Sequence, residues 1–82
     1  MQTKSNVSEK YQYRVVRTQE LIEEIGKVET YGVELVSQNE SLLISDVSTD
    51  LDLVTILVNL LNRNGVSPIH LRDVIEDFFG EF

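Results

Sequence analysis

The chain has 82 residues, of which 41% are hydrophobic and 26% charged, enough for an apolar core but with room for one domain only. That length excludes a dinucleotide-binding or barrel enzyme. Seven basic residues stand against 14 acidic ones, and the resulting net charge of −7 disfavours a nucleic-acid partner by long-range repulsion from phosphates. No cysteine is present, which removes a disulfide framework, a thiolate nucleophile and a cysteine zinc site.

The charge is uneven along the chain. Lys4, Lys10, Arg14 and Arg17 against Glu9 give +3 over residues 1–19, which leaves −10 for residues 20–82. A partner chosen electrostatically by the main body is therefore basic. Residues 1–9 are rich in Ser, Asn, Gln and Thr and read as a flexible N-terminal tail, with a single α+β domain over 10–82. The polar start carries no signal-peptide pattern, and no run of about 18 apolar residues offers a membrane span, so the expected compartment is the cytoplasm.

From Tyr11 the texture changes to alternation. Tyr11, Tyr13 and Val15 alternate with Gln12 and Arg14, the period-2 pattern of a half-buried strand. Val16 interrupts it, implying a bulge or partial cover on both faces. The pattern stops around Glu23–Lys27, where Gly26 marks a turn, and a second strand follows from Val28 to Ser37. Gly32 inside that strand predicts a bulge or a close approach by neighbouring atoms, with tight packing preferred over a binding crevice.

Gln38-Asn39-Glu40-Ser41 predicts a second hairpin. A two-residue loop at Asn39 and Glu40 sets Leu35 opposite Ile44 and Val33 opposite Asp46. Tyr31, Val33, Leu35, Leu42 and Ile44 then share one apolar face, which a slip by one residue would scatter.

After Asp46 the period becomes helical. Ser48-Thr49-Asp50 supplies an N-cap and first-turn acid, Thr49 with Asp52 distantly resembles a capping box, and Asn64-Gly65 supplies a left-handed stop, so the helix runs from about Asp50 to Arg63. Its polar side, Asp52, Thr55, Asn59, Asn62 and Arg63, is narrow, and the remaining arc is wider than one sheet can cover. Leu53, Ile56 and Leu60 in that arc are candidate interaction residues. The last helix opens with Ser67 as N-cap, Pro68 at its first position and Val66 placed to staple onto Leu71. Leu71, Val74, Ile75, Phe78 and Phe79 form its apolar side, and Gly80 ends it.

Chemistry is sparse. His70, Asp73 and Asp77 share one helical face, so an imidazole and two carboxylates define the one candidate metal or hydrolytic centre, which needs further ligands from elsewhere. The simpler account makes them the solvated side of an amphipathic helix. No nucleophile elbow and no phosphate-cradling glycine loop is present. Tyr11, Tyr13, Arg14 and Arg17 form an aromatic and basic strand of the kind on which single-stranded nucleic acid stacks, against the overall charge.

Tyr31-Gly32-Val33-Glu34, Asp46-Val47-Ser48-Thr49-Asp50, and Asn62 followed by the run from Val66 to Phe78, above all Ser67-Pro68-Ile69-His70-Leu71, resemble a family of short bacterial proteins from Gram-positive anaerobes described as a domain of unknown function. The likeness spans residues 11–79 and implies a bacterial cytoplasmic protein; it assigns no catalytic residue. The apolar Leu53, Val54 and Ile56 depart from the charged residues that the resemblance leads one to expect, which points to an oligomeric interface particular to this chain.

The predicted fold is α+β, a three-stranded antiparallel β-meander followed by two α-helices packed on one face (β-β-β-α-α). The expected function is a non-enzymatic protein-interaction or regulatory module, with a homodimer among its forms, no cofactor, and a candidate surface of Leu53, Ile56, Leu60, His70, Asp73 and Asp77. The rivals are a small metal-dependent hydrolase centred on His70 and a nucleic-acid accessory protein using the basic N-terminal strand.

Overall fold

A computed structural model describes residues 11–80, so the expected N-terminal tail, together with Phe82, lies outside the described residues. The alternation of the first strand extends further than its sequence pattern indicated, giving β1 over Tyr13–Ile22. Ile25 N–H donates to the Ile22 carbonyl at 3.1 Å to close the turn, and Gly26, at φ +97°, reverses the chain into β2, Gly26–Leu35. β1 and β2 pair in one unbroken antiparallel register from Tyr13↔Leu35 to Ile22↔Gly26. Val16 therefore sits opposite Gly32 without a bulge. Its apolar side chain is half-buried on the face that the third strand partly covers.

β3, Leu43–Ser48, completes a sheet of order β1-β2-β3. The expected register of the second hairpin is corrected here. Val33 pairs with Ile44 and Glu34 with Leu43, so Leu35 lies opposite Leu42, whose carbonyl accepts from the Leu35 N–H at 3.0 Å. The connection thus takes in residues 36–41 rather than two residues, and β2 stops at Leu35 rather than Ser37. Because the displacement is two residues, side-chain parity is unchanged. Val33 and Leu35 are buried on the predicted face, and Tyr31, Leu42 and Ile44 pack against the same cluster.

The irregularity in the sheet lies in β3, between the pairs Val33↔Ile44 and Tyr31↔Ser48. One residue of β2, Gly32, faces three of β3, and the excess is absorbed by Asp46 at φ +56°, a conformation that Asp tolerates better than most residues. The bulged backbone lies directly on Gly32: a Cβ there would meet the Ile44 carbonyl oxygen at 2.4 Å and Ser45 Cα at 3.0 Å. Close approach is thus the reason for this glycine. Beneath the same cover Thr30 is fully buried, its hydroxyl 2.6 Å from that of Thr18, which also accepts from the Asp46 N–H at 3.2 Å. The second sheet face is half sheltered as a result, with Val36 and Leu43 still exposed.

Helix α1, Leu51–Asn64, begins one residue later than expected. Asp50 itself is the N-cap, its carboxylate accepting from the Leu53 N–H at 3.2 Å, so the Thr49–Asp52 pairing is not the cap used. Gly65 closes the helix in the left-handed conformation, and the bonds Gly65 N–H to Asn62 carbonyl and Val66 N–H to Leu61 carbonyl form a Schellman motif. Helix α2, Pro68–Gly80, starts as predicted: the Ser67 hydroxyl accepts from the Ile69 N–H at 3.3 Å and Pro68 takes the first helical position. Gly80 belongs to this helix.

Both helices feed one core on a single sheet face. Tyr13, Val33 and Leu35 from the sheet meet Val54, Leu57, Val58 and Leu61 from α1 and Leu71 and Ile75 from α2. Beyond Tyr31↔Ser48 no third strand continues among the described residues, where Thr18–Ile22 and Gly26–Thr30 form a two-stranded ribbon. At its tip Leu21 is 77% exposed and Ile25 73%.

Candidate interaction surfaces

The centre of the apolar arc on α1 is consumed by the core, but its flank is not. Val54, Leu57, Val58 and Leu61 are buried, Leu53 and Leu60 are half-buried, and Ile56 between them is 55% exposed. Spacings of three and four residues place Leu53, Ile56 and Leu60 on one stripe at the edge of the buried arc. The single-neighbour limit inferred from the sequence is therefore met only in part: sheet and α2 together still leave this stripe and Leu51 open.

His70, Asp73 and Asp77 are all exposed on α2. His70 contributes its backbone N–H to the Ser67 carbonyl at 2.9 Å, part of the helix start. No hydrogen bond or ion pair among the described residues joins its imidazole to either carboxylate, and no three His, Cys, Asp or Glu residues described here are grouped to hold a metal. Shared helical spacing has not produced convergence, because one exposed helix face supplies no second element to aim at it.

The aromatic and basic strand is divided between the two sheet faces. Tyr13 is buried on the helix side, and its hydroxyl donates to the Val66 carbonyl at 2.6 Å. Burial, with smaller contributions from Tyr11 and Glu40, pushes its phenol up to about 12. Arg14 on the opposite face pairs with Glu34 at 2.8 Å, and Arg17 pairs with Glu29 at 2.6 Å. Both pairs are cross-strand contacts between exposed side chains, worth about 0.2–1 kcal/mol each.

One structural role escaped the sequence reading. Asn62, on the polar side of α1, turns its amide onto the outer edge of β1: Oδ1 accepts from the Tyr13 N–H at 2.7 Å and Nδ2 donates to the Tyr13 carbonyl at 3.0 Å. The side chain thus imitates a strand partner and fixes the end of α1 to the sheet. A lone Asn in the last turn of an amphipathic helix carries no periodic signal that separates this role from solvation. An open depression of about 370 Å³ beside the second hairpin, lined by Arg14, Glu34, Leu35, Ser37, Asn39 and Glu40 among others, was also missed. Three of its polar side chains are engaged locally: the Ser37 hydroxyl accepts from the Asn39 and Glu40 N–H groups, and Arg14 is held by Glu34.

Fold and surface together define a small acidic α+β domain with apolar side chains left open on a helix flank and at a hairpin tip. The chain belongs to the Family of unknown function (DUF6514), whose model matches residues 1–81. Comparison with curated proteins and with solved structures gives no match. No helix among the described residues is long and apolar enough to cross a membrane.

Proposed function

We propose that this protein is a non-enzymatic interaction or regulatory module of the cytoplasm that engages a basic protein partner through the outer flank of α1. The observation that carries the reading is the stripe of Leu53, Ile56 and Leu60, with Ile56 55% exposed after both helices and the sheet have packed. Burying such an aliphatic side chain completely is worth roughly 1.5–3 kcal/mol, and with 55% of Ile56 still exposed a covering partner gains about half of that. The acidic balance of residues 20–82 selects the partner's sign, and the exposed carboxylates Asp73 and Asp77 of α2, with His70, add polar groups to the same helical layer. A stripe of three side chains is smaller than the roughly 800 Å² per partner of a standard stable interface, so the engagement is transient or recruits neighbouring surface.

Affinity capture from native cell extract, run in parallel with the intact chain and with Ile56→Glu, tests this. A basic protein retained by the wild type and lost with the folded variant supports the proposal. Equal capture by both, or none by either, removes the α1 flank as the partner-facing surface.

A further inference from the structure

We infer that a second copy of this chain pairs with the first along the outer edge of β1, antiparallel, with Thr18 on the two-fold axis. This specifies the dimeric form of the interaction module proposed above, and it uses a surface separate from the α1 flank.

Alternation of the strand backbone settles which groups face outward. The Gln12 carbonyl accepts from the Val36 N–H, toward β2, whereas the Tyr13 N–H and carbonyl point the other way, to Asn62. In an antiparallel strand the N–H and carbonyl of one residue share a side, so odd-numbered residues of β1 face outward. Among the described residues no hydrogen bond satisfies the outward groups of Val15, Arg17, Gln19 and Leu21. Ten residues in unbroken register make β1 the long, regular edge of the sheet. The opposite edge, β3, has six residues and the bulge at Asp46, the usual device that blunts an edge.

The register follows from two constraints. Asn62 occupies the pairing groups of Tyr13, so the usable edge begins at Val15. A symmetric antiparallel pair must then set outward residues opposite outward residues, and only one arrangement uses all four. It places Val15 opposite Leu21 of the second copy and Arg17 opposite Gln19 of the second copy. A shift of two residues one way opposes Arg17 to its own copy and needs the groups that Asn62 has taken; a shift the other way leaves Val15 unpaired.

Side chains agree with that register. Leu21, 77% exposed, gains Val15 as its cross-strand neighbour. On the other face Arg14 lies diagonal to Glu20 of the second copy, within reach of long side chains, and this attraction occurs twice by symmetry. No like charges stand directly opposite.

Sedimentation of the intact chain from low micromolar to near-millimolar concentration provides the test, with two variants. The wild type is expected to show a concentration-dependent dimer. Gln19→Pro deletes an outward N–H that serves no bond among the described residues, so it should leave the circular dichroism unchanged and the species monomeric. Thr18→Cys introduces the chain's single thiol at the axis, where facing Cβ atoms lie about 4.5–5.5 Å apart, and mild oxidation should link two copies. A wild type that stays monomeric overturns the inference, as does a dimer that survives in folded Gln19→Pro. Should Gln19→Pro fail to fold, the Thr18→Cys link decides alone: a dimeric variant that does not crosslink rejects this register. A monomeric wild type would not touch the α1-flank reading, which the Ile56→Glu capture judges separately.

Discussion

Substituting Asn62 by Ala isolates the contact that joins the second half of the fold to the first. Two hydrogen bonds to the Tyr13 backbone are lost, at 2.7 and 3.0 Å, each worth roughly 0.5–1.5 kcal/mol net. The contact is only partly buried and water can return to the strand edge, so the lower half of that range applies and the pair contributes about 1–2 kcal/mol. Alanine is also the better helix former by roughly 0.5 kcal/mol, which masks part of the loss. Asn59→Ala, at an exposed position of the same helix, carries the same propensity gain without the contact. Urea unfolding of both variants should therefore differ by about 1–2 kcal/mol, Asn62→Ala being the less stable, with a melting temperature lower by about 4–8 °C per kcal/mol. A difference under about 0.3 kcal/mol would refute the claim that this amide clamps the sheet to α1.

Four further substitutions probe the geometry. Gly32→Ala should cost about 2–3 kcal/mol by overpacking, because the Ile44 carbonyl oxygen that its Cβ would meet at 2.4 Å is backbone and cannot rotate away. Gly65→Ala, strained at φ +58° but with nothing within 4 Å, should cost about 1 kcal/mol; equal losses at the two sites in thermal unfolding would count against the bulge lying on Gly32. Leu57→Ala, at a fully buried site, should cost about 2–5 kcal/mol in the same assay, and a loss under about 1 kcal/mol would deny it a place in the core. Tyr13→Phe should lose about 1 kcal/mol near neutral pH with the bond to the Val66 carbonyl. Because burial raises the folded phenol from the ordinary 10.0 to about 12, its contribution is complete below pH 10 and is lost as pH rises toward 12. The stability gap between wild type and Tyr13→Phe should accordingly narrow across that interval; a constant gap would contradict the burial of the hydroxyl.

Element types and order were readable because the period changes cleanly. Alternation from Tyr11, a helical period after Asp46, and Ser67-Pro68 each carry a local cause. The second hairpin shows where local signals stop. Asn39-Glu40 resembles a tight turn, yet the Ser37 hydroxyl gathers the Asn39 and Glu40 N–H groups into a longer loop, and parity alone kept the apolar face intact. Gly32 announced a close approach but not which backbone approached it, since the bulge that covers it lies in another strand. The contact of Asn62 was invisible for the same reason: its partner, Tyr13, is 49 residues away. His70, Asp73 and Asp77 illustrate the converse, a spacing that suggested a site while their exposed helix face brings no other element to complete it.

The central claim is that the stripe of Leu53, Ile56 and Leu60 is kept open for a partner rather than left over from packing. Ile56→Glu places a carboxylate in the middle of that stripe at a position exposed enough to hydrate it, so folding stability should change by less than about 0.5 kcal/mol. Capture from native extract with this variant is the direct measurement. The account predicts normal folding together with loss of the basic partner held by the wild type; a partner retained undiminished by the folded variant would contradict it.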